Sequence, residues 1–482
     1  MQRSEQRSGG RWTSPVSRRQ MLRDCTSGFS SLALAGLFAE ECLASVDATS
    51  SNPLEIKPAH HLPKAKRVIF LFMPGGPSHV DLFDPKPKLA EMHGKPIPSN
   101  KPMAMAAAAP VLMQSPFKFQ KHGQAGIEVS ELYPHVAGCA DDLCVIRSMH
   151  ADNSNHNGAC LQMNTGEQAF SRPSMGSWIL YGLGSENQDL PGFVVISPNQ
   201  PAQGAPLWGS SFLPASYQGT YVSDVNKAVS DLANPQFSPA LQREQLDLTK
   251  RLNEAHRAAR IQESQLNARI ASFELAFRMQ AQAPEAFDIT RESEMTQRLY
   301  GIGDPVTEHF GKQCLLARRL VERGVRFVQL FHTRSSKASA CQLWDHHGGV
   351  RQGLIDNAAA TDMPIAGLLN DLKSRGLLQD TLVVWGGEFG RTPTLEGKDG
   401  RGHHPFGFSM WLAGGGIKAG TIHGATDEFG WHAVHDKVHV HDLHATILHL
   451  LGINHERLTY RHSGRDFRLT DVYGTVQHAI IA

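Results

Sequence analysis

The chain has 482 residues, of which 41% are apolar and 19% charged, with a formal net charge of +1 at pH 7. That length and balance suit a globular chain with a sizeable core, and the near-neutral charge excludes a polyanion such as nucleic acid held by long-range electrostatics. The 25 histidines raise a metal site as a hypothesis, since imidazole is the commonest metal ligand.

The chain opens with an address. Ser17-Arg18-Arg19-Gln20-Met21-Leu22 precedes a weakly apolar stretch, Gly28 to Ala39. That stretch is too short to span a bilayer and has the order of a twin-arginine export signal, implying a periplasmic or extracellular destination. Residues 1–44 are therefore assigned to signal and linker, and residues 45–482 to one α/β domain. Cys42 follows Glu40 and Glu41, where lipidation needs small residues, and no later stretch has the length and apolarity of a transmembrane helix. The remaining cysteines, at 139, 144, 160, 314 and 341, are odd in number and contain no CxxC, which indicates neither a zinc knuckle nor a disulfide scaffold.

Arg67 to Met73 (RVIFLFM) reads as a buried strand that stops at Pro74-Gly75-Gly76. The following loop puts Ser78, His79, Asp81 and Asp84 at a strand's C-terminal end, where open α/β sheets carry their sites. Asp84-Pro85 reads equally as turn chemistry, and Asp81 as a helix cap. Lys95 to Pro116 lacks periodicity and reads as a surface excursion. A helix over Leu132 to Cys139 precedes a second strand, Leu143 to Met149. The polar loop His150 to Gly158 then enters a helix ending near Thr165-Gly166, whose N-terminus would suit an anion; its Asn and Asp residues would also serve as caps.

Pro191 to Ile196 is a further strand, and Pro198 to Val222 is loop-rich. From Asp224 to Gly303 the periodicity is that of an amphipathic helical insertion. Phe310 to Arg323 is a helix and Val325 to Phe331 a strand. Trp344-Asp345-His346-His347 follows, and then a helix from about Asp356 to Arg375. The strand from Thr381 runs into Gly386-Gly387 and delivers Glu388, with His403 and His404 one loop later. A carboxylate at a strand end and imidazoles on the next loop are the ingredients of a metal site. Ser409 to Ala413 adds a strand, and Val440 to Leu451 a helix with Asp442 and His444 near its start. This order implies a mostly parallel sheet with helices on both faces.

The series GGPSHVDLFDPKP, WDHH, GGEFGRTP, GRGHHP, HDLHATILHLLGI and GRDFRLTDV resembles domain-of-unknown-function family 1501, an exported branch of the alkaline phosphatase and sulfatase superfamily. The resemblance implies an alkaline phosphatase-like α/β sandwich with divalent metal at its strand ends. Aligned on the superfamily's metal-binding strand, TLVVWGGEFG places Glu388 at the acid and Phe389 where a polar neighbour would stand. The upstream Asp and His resemble Asp345 and His347, and the downstream His resembles His403. The family's loop usually reads GRDH, so Gly402 removes one carboxylate. No Cys or Ser lies in a sulfatase CxPSR motif; the same spacing lands on His156, as a recruited ligand or an unusual nucleophile. Asp81 or His79 would have to replace the superfamily's paired aspartates.

The expectation is therefore an exported metal-dependent hydrolase of sulfate or phosphate monoesters, acting on small-molecule or carbohydrate esters. The ligand set is Asp81, His156, Asp345, His347, Glu388 and His403, with zinc or manganese favoured and calcium as a further candidate. His156 and Arg391 are the catalytic candidates, Arg391 as an anion fork or, equally, in an ion pair with the Glu396 or Asp399 loop. Ser78, His79 and His404 join Arg391 as substrate contacts. The competing expectation is a non-catalytic metal- or carbohydrate-binding protein of the same fold.

Overall fold

The structure is a computed structural model that describes residues 52–98, 111–226, 238–258, 264–333 and 343–482. The expected export signal, Cys341, most of the Lys95 to Pro116 stretch and the loop before Trp344 lie outside the described residues.

A nine-stranded sheet forms the centre. In chain order its strands are β1 (Arg67–Phe72), β2 (Leu143–His150), β3 (Phe193–Ile196), β4 (Thr220–Val222), β5 (Phe327–Phe331), β6 (Thr381–Gly386), β7 (Phe408–Ala413), β8 (Thr421–His423) and β9 (Val438–His439). Across the sheet the order is β8-β2-β7-β6-β1-β5-β3-β4, and β9 also pairs with β2. Every pairing is parallel except those of β7 with β2 and with β6. The main helices are α1 (His156–Thr165), α2 (Met175–Leu183), α3 (Pro239–Ala258), α4 (Ser264–Phe287), α5 (Glu308–Glu322), α6 (Val350–Ser374) and α7 (Val440–Leu450).

Strand periodicity explains why both faces are covered. In β1, Ile69 and Leu71 point into one apolar core with residues of α5 and α6, while Val68, Phe70 and Phe72 point into a second core with residues of α1, α2 and α7. A strand buried on both faces reads as an unbroken apolar run, as RVIFLF does. The α/β sandwich implied by the resemblance is therefore present, and its sheet is mixed. The antiparallel β7 is anchored by Trp411 stacked on Trp385 at 5.9 Å and 2°.

Two local expectations are corrected and a third is refined. Only Pro134–Ala137 of the expected Leu132 to Cys139 helix is helical, because Pro134 fixes a first turn and a turn at Gly138 closes it. The helix expected from Asp356 starts at Val350. The loop-rich stretch Pro198 to Val222 ends in a short edge strand, β4. Strands of two or three residues such as β4, β8 and β9 leave almost no periodic signal.

Because β1, β2, β5 and β6 run the same way, their C-terminal ends share one edge. The reversed β7 brings its N-terminal end, and the loop before it, to that edge.

Candidate metal centre

Four side chains meet at this edge. Asp345 and His347 come from the segment before α6, His156 is the first residue of α1, and His403 precedes β7. One ligand atom from each lies within 4.8 Å of all the others. The Asp345 carboxylate is the hub: its oxygens are 3.2 Å from His156 Nε2, 3.0 Å from His347 Nε2 and 3.2 Å from His403 Nε2.

All three imidazoles turn Nε2 inward and satisfy Nδ1 outside. His156 Nδ1 donates to Glu388 Oε1 at 2.6 Å, His347 Nδ1 to Glu396 Oε1 at 2.9 Å, and His403 Nδ1 to the Ser154 carbonyl at 2.8 Å. Carboxylates and carbonyls only accept, so each Nδ1 carries a hydrogen, and a ring in its neutral form then presents its lone pair at Nε2. This is how metal-bound histidines are held. The Nε2 atoms of His347 and His403 stand 2.9 Å apart, a distance that calls for a shared proton or a cation beside them. His156 Nε2 is buried and makes no aligned hydrogen bond despite its nearness to Asp345. The residues present therefore fit a divalent metal.

The electrostatics of the group centre on Asp345. Burial disfavours the charged Asp345 carboxylate, but the His156 and His403 rings and the Arg391 charge beside it hold it far below the usual range. Burial pulls the His403 pKa down. It acts likewise on His156, but the Asp345 and Glu388 carboxylates outweigh it and push that pKa up to about 9. Phe389 walls the group, with its ring 4.9 Å from His156 and 4.8 Å from His403.

A sequence profile described as "Protein of unknown function (DUF1501)" matches residues 65–481. The chain belongs to the DUF1501 family. No curated protein matches it. Among solved structures, this DUF1501 chain is similar to the PsFucS1 sulfatase from Pseudoalteromonas sp., at 12% identity and a TM-score of 0.37, covering 87% of this chain and 72% of that one. Ps i-CgsB in complex with k-i-k-neocarrahexaose is similar at 9% identity and a TM-score of 0.37, with coverages of 80% and 72%. The alkaline phosphatase from the Antarctic bacterium TAB5 is similar at 10% identity and a TM-score of 0.33, with coverages of 82% and 99%.

Several residues expected in the DUF1501 site are placed elsewhere. Glu388 is fully buried and stands one layer outside the group: its Oε1 takes Gly75 N–H at 2.9 Å and the His156 ring. Asp81 is fully buried in an ion pair with Arg401, whose Nε and Nη2 reach it at 2.7 and 3.1 Å, and it also takes the Ser78 hydroxyl at 2.5 Å. Ser78 is thereby used internally. His79 Nε2 bonds the Gly430 carbonyl at 2.8 Å. His404 Nε2 bonds the Trp431 carbonyl, and burial pushes its pKa down to about 3. The Ser78 hydroxyl and the Nε2 atoms of His79 and His404 are thus engaged within the protein.

Arg391 is a clamp and has no fork to offer. It is 1% exposed and gives Nε to Gly76 O at 3.1 Å, Nη1 to Arg401 O at 3.1 Å, and Nη2 to Gly75 O and to Asp345 at 2.6 Å. The expected ion pair with the Glu396 or Asp399 loop is not what it makes. Asp442 instead serves the capping box of α7 with His439.

Sequence reasoning passed over Glu396, Phe389 and the Ser154 carbonyl as parts of the site. The signal for Glu396 lay in Gly402, because a Cβ at 402 would stand 2.5 Å from Glu396 Oε2. The Glu396 carboxylate fills the space that a side chain at 402 would need.

Gly75 holds the loop close. Its φ is +112°, and a Cβ there would lie 2.5 Å from Asp345 N. Gly75→Ala must displace Asp345, and metal affinity is expected to fall by about 10–100-fold in competition against a chelator. Unchanged affinity would show that this close approach does not set the hub.

Proposed function

We propose that the protein is a metal-dependent hydrolase of sulfate or phosphate monoesters, with His156, Asp345, His347 and His403 as the metal ligands. The observation carrying this reading is that three imidazoles present Nε2 to one carboxylate while acceptors hold each Nδ1. Three nitrogens and one oxygen suit zinc or manganese and disfavour calcium, which prefers oxygen. When bound, such an ion supplies Lewis acidity toward the ester oxygen and lowers the pKa of a coordinated water.

The chain's own residues orient that chemistry. Glu388 fixes the His156 tautomer, Arg391 fixes Asp345, and Phe389 excludes water from one side. His347, whose side chain is 43% exposed, marks the open side where an ester would arrive. Water is the proposed nucleophile, and His156 is a ligand. The twin-arginine order of the N-terminus supports export.

Arg391 favours one second reading, a metal-binding protein without ester turnover, because its donors are all directed inward. Metal analysis of the purified protein, with aryl sulfate and aryl phosphate assays on wild type and Glu388→Ala, separates the two. Bound metal with no turnover of any ester sinks the hydrolase; no metal at all sinks both.

Metal affinity should also depend on pH. With its pKa at about 9, metal-free His156 is protonated at neutral pH, and a metal must displace that proton. Affinity is therefore expected to rise about tenfold per pH unit toward the His156 pKa, then level off. Zinc titrations in chelator buffers from neutral to alkaline pH check this, and a flat profile would contradict His156 as a ligand.

A further inference from the structure

The loop between β2 and α1 has a second side. Its Ser154 carbonyl supports His403, whereas Asp152 lines an open cleft with Glu167, Gln168, His439, Asp471 and Tyr473. The Asn153 amide, between them, fixes Gln168 at 3.0 Å. One short segment is thus a wall shared by the metal-binding group and the cleft.

The cleft has a particular chemistry. Tyr473 is 61% exposed, and its ring stacks on His441 at 5.1 Å and 7°, which fixes the ring and leaves its far face open. Asp152 Oδ2 is shared by His439 Nε2 at 3.1 Å and the Gln162 amide, and Asp152 Oδ1 has no protein donor among the described residues. An immobilised aromatic face beside a carboxylate acceptor and the Gln168 amide donor matches a sugar ring, with C–H groups against the aromatic and hydroxyls toward the polar groups. Glu167 and Asp152 make the same place unfavourable for a phosphate or sulfate.

We infer that this cleft is a subsite for a neutral sugar residue of a glycan whose anionic ester lies across the 152–156 loop, at the metal-binding group. The ester half rests on the hydrolase reading; the cleft itself uses none of the four ligands. Tyr473 is the platform and Gln168 the positioned hydroxyl partner.

Calorimetry or saturation-transfer NMR with a panel of neutral tetrasaccharides (cellotetraose, mannotetraose, galactotetraose) and one sulfated galactan tetrasaccharide tests this on the full chain. At least one neutral member is expected to bind wild type, with Tyr473→Ala weakening it about tenfold and Tyr473→Phe retaining it. Gln168→Ala is a second, independent lesion with loss of binding expected, and Glu388→Gln should leave glycan binding intact. The inference is overturned if no member binds, if only the sulfated one binds, or if folded Tyr473→Ala binds like wild type. Glycan binding without ester turnover sinks the hydrolase alone; turnover without glycan binding sinks the subsite alone.

Discussion

Asp345→Ala is expected to yield protein that retains neither zinc nor manganese and has no ester turnover, because Asp345 is the one group in contact with all three imidazoles. The change also leaves the buried Arg391 without its counter-charge. Removing one partner of a buried pair costs about 3–5 kcal/mol, and the low end applies here because the Asp345 side chain is 22% exposed. Asp345→Asn separates the two effects. It keeps an acceptor for Arg391, so much of the stability should return while metal affinity stays low. Elemental analysis and urea unfolding of both variants are the measurements. Wild-type metal content in Asp345→Ala would remove Asp345 from the ligand set.

The largest effect on stability is expected at Arg401. Its guanidinium is fully buried, pairs with both oxygens of the equally buried Asp81, and donates to the carbonyls of Thr392, Met113 and Gln114. Arg401→Leu strands the Asp81 carboxylate with one hydroxyl partner, at a cost of about 3–5 kcal/mol. Pairing it with Asp81→Leu should recover a large part of that loss, since apolar replacement of a whole buried pair is often neutral. A double variant no more stable than Arg401→Leu would mean that the carbonyl contacts, and not the ion pair, dominate.

Much of the frame was legible because buried strands advertise themselves. RVIFLF and TLVVW could only be central, and the Gly-Gly after each marked where the rim begins. The WDHH segment and the loop before α1 were legible as ligand-rich ends of the same edge. The sheet order was not, since β1 lies between β5 and β6 while the sequence places them in another order. Roles within the site were less legible than membership. Glu388 and Arg391 follow one strand and look alike as functional groups, yet whether a carboxylate holds an ion or the ring that holds it depends on a few ångströms that spacing does not encode. Asp81 misled for the same reason: its partner Arg401 lies 320 positions away, and no local pattern announces a long-range ion pair.

That distance in sequence has a consequence for assembly. The Ser154 carbonyl and the His403 ring are 249 positions apart, so an ion held by His156 and His403 would staple the first half of the chain to its last quarter. Closing a loop of that size stabilises the finished fold against the loosened one. It also means that no partly folded form presents the whole donor set. Metal content would then act as a certificate of completed folding, present only on molecules in which every segment has arrived.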